Sequence, residues 1–190
     1  MKTVEIFYLS KKEKYPMNER NTFERAAFEL IAMRFILEAD KETRIKFAIL
    51  EDTPPAILAK LADDKDAYVR TSVAENPNTP TSIIKKLAED KDADVRDCVT
   101  KNPNTPTSII EKLAEDNDWH VRGSVAENPN TPASIIEKLA VDNVSFVRGS
   151  VAKNPNTPIS ILKKLEVDED VIQYLGVEYF LESRTQKVHD

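Results

Sequence analysis

The sequence predicts an all-α fold, a solenoid of about five 26-residue, two-helix repeats closed at each end by helical caps. Three observations carry that prediction. The pair Val-Arg recurs at Val69-Arg70, Val95-Arg96, Val121-Arg122 and Val147-Arg148, 26 residues apart each time and without insertion. The string Asn-Pro-Asn-Thr-Pro follows in phase at 76–80, 102–106, 128–132 and 154–158. An apolar stripe comes next, as Ile83, Ile84 and Leu87 in the first full copy and Ile161, Leu162 and Leu165 in the last. Self-similarity at a fixed period is the mark of stacked supersecondary units.

In chain order, residues 1–42 read as an N-terminal arm and a capping helix. Thr3 to Leu9 has strand-like composition and no obvious partner strand. It is either a loosely packed arm or a segment that pairs with another chain, so an oligomer through residues 1–10 is an open expectation. Within 22–39, Phe23, Ala27, Leu30, Ile31 and Ile36 belong to a helix that is apolar around most of its surface. The repeats occupy 43–172, divided as 43–68, 69–94, 95–120, 121–146 and 147–172. The first is a worn copy, recognisable by Thr43-Arg44, Phe47-Ala48, Thr53-Pro54 and Ile57-Leu58. Residues 173–190 are a C-terminal cap and tail. Val171, Ile172, Leu175, Tyr179, Phe180 and Leu181 supply the apolar surface of that cap.

Within a unit, the first helix follows an acidic or polar turn. It carries Val69, Val73 and Ala74 as a stripe at helical spacing. It must stop near Asn76, because the residue before a proline is pushed out of the helical region. The second helix is expected to begin with Thr79 as N-cap and Pro80 at its first position. Ile83, Ile84 and Leu87 then share one face, with Lys85 roughly opposite. Helices this short are marginal alone. They persist by burying their stripes against neighbouring units, so stability is a nearest-neighbour sum.

Composition narrows the function classes. The chain has 190 residues, 41% hydrophobic and 32% charged, which suits one ordered short solenoid. No stretch approaches the roughly 20 apolar residues of a membrane helix. Met1 to Ser10 lacks the long apolar core of a signal peptide, and the single cysteine, Cys98, allows no intramolecular disulfide. The expected compartment is the cytoplasm. The net charge of −6 argues against a nonspecific nucleic-acid binder, whose affinity comes from released counterions.

The pattern Val-Arg-x-x-Val-Ala-x-Asn-Pro-x-Thr-Pro, followed by Ile/Leu-x-x-Leu-Ala and Asp, resembles the leucine-rich repeat variant family over residues 43 to about 172. That resemblance implies alternating short helices wound into a right-handed superhelix. The family is also associated with a cysteine-rich N-terminal region holding an iron–sulfur cluster. This chain has no cysteine before Cys98, so the cofactor is not carried over and none is expected. A physical analogy extends to HEAT repeats, through Asp64, Asp90, Asp116 and Asp142, each six residues before Arg70, Arg96, Arg122 or Arg148. Neither resemblance implies one activity.

The candidate sites divide by what the stack needs. The arginine ladder, Arg44, Arg70, Arg96, Arg122 and Arg148, reads as structural, each paired with a turn aspartate of its own or an adjacent unit. The competing reading is a rail for phosphate or carboxylate. Asn76, Asn102, Asn128 and Asn154 are expected to bond turn backbone and helix-end carbonyls. A lysine row, Lys60, Lys86, Lys112, Lys138 and Lys164, flanks the apolar stripes, either covering them or attracting an acidic partner. Cys98 occupies a position held by Ser72, Ser124 and Ser150, which asks only for a small packed side chain. With His120 and His189 the only histidines, no metal site is expected.

Drift between copies points to binding. The residues before Val-Arg are Ala67-Tyr68, Ala93-Asp94, Trp119-His120 and Ser145-Phe146. Tyr68, Trp119, His120 and Phe146 are therefore the candidate partner-binding residues, forming a discontinuous line along one edge or packing between units. Glycines Gly123, Gly149 and Gly176 form no phosphate loop, and no catalytic cluster is legible. The expected function is a non-catalytic protein-interaction scaffold for a protein or peptide. The alternative is a nucleic-acid-binding or base-processing protein, by likeness to alkylpurine DNA glycosylases built from HEAT-like repeats. In that case Asp118, Trp119, His120 and Arg122 would serve. The full repeats hold 13 basic and 17 acidic residues, so such a face would need strong charge segregation.

Overall fold

A computed structural model of the chain describes residues 33–36, 38–176 and 179, and among them every regular element is a helix. The expectations for residues 1–10, for most of the capping segment 22–39 and for the tail beyond Tyr179 lie outside the described residues. Met33 to Ile36 is helical, and eleven helices follow. The first helices of the units, α1 (Lys41–Ile49), α3 (Ala67–Glu75), α5 (Ala93–Lys101), α7 (Trp119–Glu127) and α9 (Ser145–Lys153), have nine residues each. The second helices, α2 (Pro55–Leu61), α4 (Thr81–Leu87), α6 (Thr107–Leu113), α8 (Ala133–Leu139) and α10 (Ile159–Leu165), have seven. α11 (Glu169–Leu175) ends the stack.

Each first helix packs on the first helix of the next unit, giving a continuous row from α1 to α11. Each second helix packs on the first helix of its own unit, and α2, α4, α6 and α8 pack also on that of the following one. The result is the predicted repeat solenoid. The core is the seam between the two rows. Val69, Val95, Val121 and Val147 are fully buried, as are Val73, Val99, Val125 and Val151 opposite Ile84, Leu87, Ile110, Leu113, Ile136 and Leu139. Burying a side chain of this size stabilises by about 1.5–3 kcal/mol, which is what holds helices too short to persist alone.

The helix starts differ from expectation in two ways. The first helices begin two residues before Val-Arg, so Tyr68, Trp119, His120 and Phe146 lie in first helical turns rather than in the preceding turns. Asp66, Asp92 and Asp118 cap α3, α5 and α7 by accepting the backbone N–H two residues on. Val144 takes this place before α9, which therefore has no side-chain cap. The second correction concerns Thr79. The N-cap of α4 is Pro80, and the helix starts at Thr81. The Thr79 hydroxyl instead donates backward to the carbonyl of Val73, at 2.6 Å. Thr53, Thr105, Thr131 and Thr157 do the same to Phe47, Val99, Val125 and Val151. A buried hydroxyl is needed more by the orphan carbonyls of the first helix than by a second helix whose N-terminus is in water.

Candidate functional site

The arginine ladder is internal. Arg70 donates from Nε and Nη2 to both carboxylate oxygens of Asp90, at 2.6 and 2.9 Å, and from Nη1 to the carbonyl of Asp64, at 2.8 Å. Arg44–Asp64, Arg96–Asp116, Arg122–Asp142 and Arg148–Asp168 repeat the fork. The arginine therefore reaches forward 20 residues to the aspartate in the turn that closes its own unit. Of the two pairings the sequence left open, the own-unit one forms the fork, and the aspartate six residues behind, in the preceding unit, offers only its backbone carbonyl. These guanidinium side chains are 6–16% exposed. With every guanidinium nitrogen already engaged within the stack, none presents its fork to a phosphate. Asp168 is the fifth acceptor. It lies one period after Asp142 and was legible from spacing alone.

Electrostatics follow the geometry. At Asp90, Asp116 and Asp142, burial pushes the carboxyl up, but the facing guanidinium and a backbone N–H outweigh it and hold the group below the usual range. At Asp168 the hydrogen bond from Arg148 leads, with the same net direction. Arg70, Arg96, Arg122 and Arg148 are raised by the same pairs.

The asparagines form a second ladder on the opposite ends of the first helices. Asn76 donates to the carbonyls of Ala48 and Leu50 in the preceding unit, at 2.7 and 2.9 Å, and accepts the N–H of Asn78. Asn102 and Asn154 repeat this toward Ala74 and Asn76, and toward Ala126 and Asn128. Asn128 reaches Thr100. At the last rung no asparagine follows, and the hydroxyl of Tyr179 donates to the carbonyl of Ala152 instead, at 2.9 Å. Periodicity could not reveal that substitution, because Tyr179 stands one residue out of phase.

Lys86, Lys112 and Lys138 pair with Asp63, Glu89 and Glu115 of the preceding unit, so the lysine row is an exposed row of mixed charge. Opposite Lys164 the acid is replaced by Val141, 80% exposed. Cys98 is buried, with Sγ 3.3 Å from Glu75 Oε1. Burial and that carboxylate push its thiol up to about 12, so at neutral pH it is a packed thiol and no thiolate nucleophile.

The drifting positions come together in the C-terminal half. The Trp119 and His120 rings stack at 3.4 Å between centroids, and Phe146 meets Trp119 edge-on at 4.8 Å. Tyr174, on α11, extends the group by an edge contact with Phe146 at 5.5 Å. Sequence reading missed Tyr174 because α11 leaves the 26-residue register. Lys153 approaches its ring at 5.0 Å. Trp119 and Tyr174 remain 37% and 43% exposed, while Phe146 is half-buried. Tyr68 does not join them. It stands two units away, 66% exposed, with Lys41 Nζ 4.1 Å above its ring.

Two glycines make room for these rings. A Cβ on Gly123 would lie 2.4 Å from Phe146 Cε1, and one on Gly149 2.7 Å from Tyr174 Cδ1. The corresponding positions in earlier units are Thr71 and Asp97. An aromatic ring thus seats on a bare helix surface only where the preceding unit carries glycine.

Among the described residues no group of three or more His, Cys, Asp or Glu side chains is arranged to hold a metal ion, and no helix is long and apolar enough to cross a membrane. The fold and this surface define a class, a helical repeat protein with internally satisfied ladders and an aromatic edge. Comparison with protein-family models, curated proteins and solved structures finds no match to this chain.

Proposed function

We propose that this chain is a non-catalytic, cytoplasmic interaction scaffold of the leucine-rich repeat variant type, binding a protein or peptide partner along the edge formed by Trp119, His120, Phe146 and Tyr174. The observation that carries this reading is a clustered, part-exposed aromatic group on a row of helices whose polar ladders are already filled. Such ladders make a rigid platform, and exposed Trp and Tyr are the side chains most enriched at binding hot spots. The charge distribution favours a protein partner over nucleic acid. The five ladder arginines are internally paired, and three of the row lysines face acids.

The test is capture from source-cell lysate with the purified full chain as bait, with and without nuclease. A protein retained after nuclease treatment, and lost from both Trp119→Ala and Phe146→Ala baits that still melt cooperatively, is the expected outcome. Capture that disappears with nuclease, or that survives both substitutions, overturns the reading.

A further inference from the structure

Two units of the solenoid place an aspartate and an aromatic ring together at the start of a first helix. At the head of α3 these are Asp66 and Tyr68, and the site is filled from within. Lys41, at the head of the preceding first helix, holds its Nζ 4.1 Å above the Tyr68 ring and 3.1 Å from the Asp66 carboxylate. Asp118, two periods on, holds the matching place before α7, where the residue matching Tyr68 is His120 and the larger ring, Trp119, stands one residue earlier. There the residue matching Lys41 is Ala93, which brings no cation.

What lies over the aromatic surface at the head of α7 is His120. Its ring is stacked on the Trp119 indole at 29° between planes, with Nδ1 3.3 Å from Asp118 Oδ1. A flat group on the indole with a nitrogen beside a carboxylate is the geometry of a stacked, hydrogen-bonded guanidinium. The imidazole is 61% exposed and leaves most of its surface in water. Arg122 cannot serve, since its fork is held by Asp142 and its remaining nitrogen by the carbonyls of Asp116 and Asn117.

We propose that Asp118 and Trp119 form a seat for a cationic side chain, an arginine of a bound partner segment whose guanidinium takes the place that His120 holds on the indole. The inference rests on the scaffold reading and names its partner's chemistry. Arginine fits better than lysine because its plane stacks on the indole while its N–H groups reach the carboxylate. The head of α3 is the internal precedent for a cation held between an aspartate and a ring, supplied there by the chain's own Lys41.

Trp119 is the chain's single tryptophan, so its emission reports the seat directly. The experiment titrates the full chain with acetyl-Gly-Gly-Arg-Gly-Gly-amide and with the citrulline peptide, which has nearly the same shape and no charge. The arginine peptide is expected to give a saturable change and to bind at least about fivefold more tightly than the citrulline one, through its cation–π and carboxylate contacts. Asp118→Asn keeps a good helix cap and is expected to bring arginine binding down to the citrulline level. His120→Ala is expected to strengthen it, by removing the group that occupies the indole. Equal binding of the two peptides, or arginine binding indifferent to Asp118→Asn, overturns the proposal. So does the absence of any saturable change, a result that leaves the scaffold reading to its own capture test.

Discussion

The N-terminal and C-terminal halves of this solenoid share a backbone and differ on one edge. Both repeat the Arg–Asp fork and the Asn-to-carbonyl bonds, and in both the valine pairs are fully buried. The edge near α5 presents Ala93 and Asp94, beside Asp97. The edge from α7 to α11 presents Trp119, His120, Phe146 and Tyr174, with Gly123 and Gly149 beneath the last two. The difference teaches where a repeat protein has freedom. Ladder residues recur because every unit needs the same bonds, whereas edge residues are fixed only where particular neighbours meet, as Phe146 meets Trp119, Tyr174 and Gly123.

Acid should erase the comparison by attacking what the halves share. Asp90, Asp116, Asp142 and Asp168 titrate below their usual range when folded. A depressed folded value means that the stabilisation is complete above the unfolded value, about 3.9, and is lost as pH falls through the folded ones. Urea midpoints are expected to hold steady from neutrality to about pH 5 and then fall steeply, in one transition for both halves. Two separated acid transitions would show that the ladder does not couple them.

Single rungs come next in size. Arg96→Ala and Arg122→Ala each strand a largely buried carboxylate, and each is expected to cost about 3 kcal/mol in urea denaturation. Near equality of the two losses supports equivalent halves, and a difference above about 1.5 kcal/mol, roughly half the predicted loss, breaks the comparison.

The smallest effect sharpens the contrast. Gly123→Ala would gain about 1 kcal/mol from helix propensity alone. Its Cβ would strike the Phe146 ring, so overpacking is expected to win, with a net loss of about 1–2 kcal/mol. In the Phe146→Ala background the ring is gone and the same substitution should become stabilising. A double-mutant cycle with no change of sign would detach the glycine from the ring.

Much of this was legible in the chain. A 26-residue period with prolines in phase predicts short paired helices, because Asn76-Pro77 must end one helix and the next apolar stripe requires another. Ladder membership of Arg70 and Asn76 was legible for the same reason, since a polar residue that recurs with the core belongs to the core. The partners were not. Which aspartate an arginine meets depends on the rise between stacked helices, and the answer is the residue 20 ahead rather than six behind. Thr79 shows the same limit. Its local pattern reads as a helix cap, while its hydroxyl is claimed by a buried carbonyl six residues back.

The sequence by itself therefore determined the repeat, its helix pairs and which positions drift. Only the tertiary structure decided which drifting residues meet. It brought Tyr174 to Phe146, left Tyr68 apart beneath Lys41, and used Tyr179 to close the last rung. The physical reason is that periodicity records contacts every unit repeats, whereas an edge cluster and a terminal cap are each made once, across units, by side chains out of phase with the repeat.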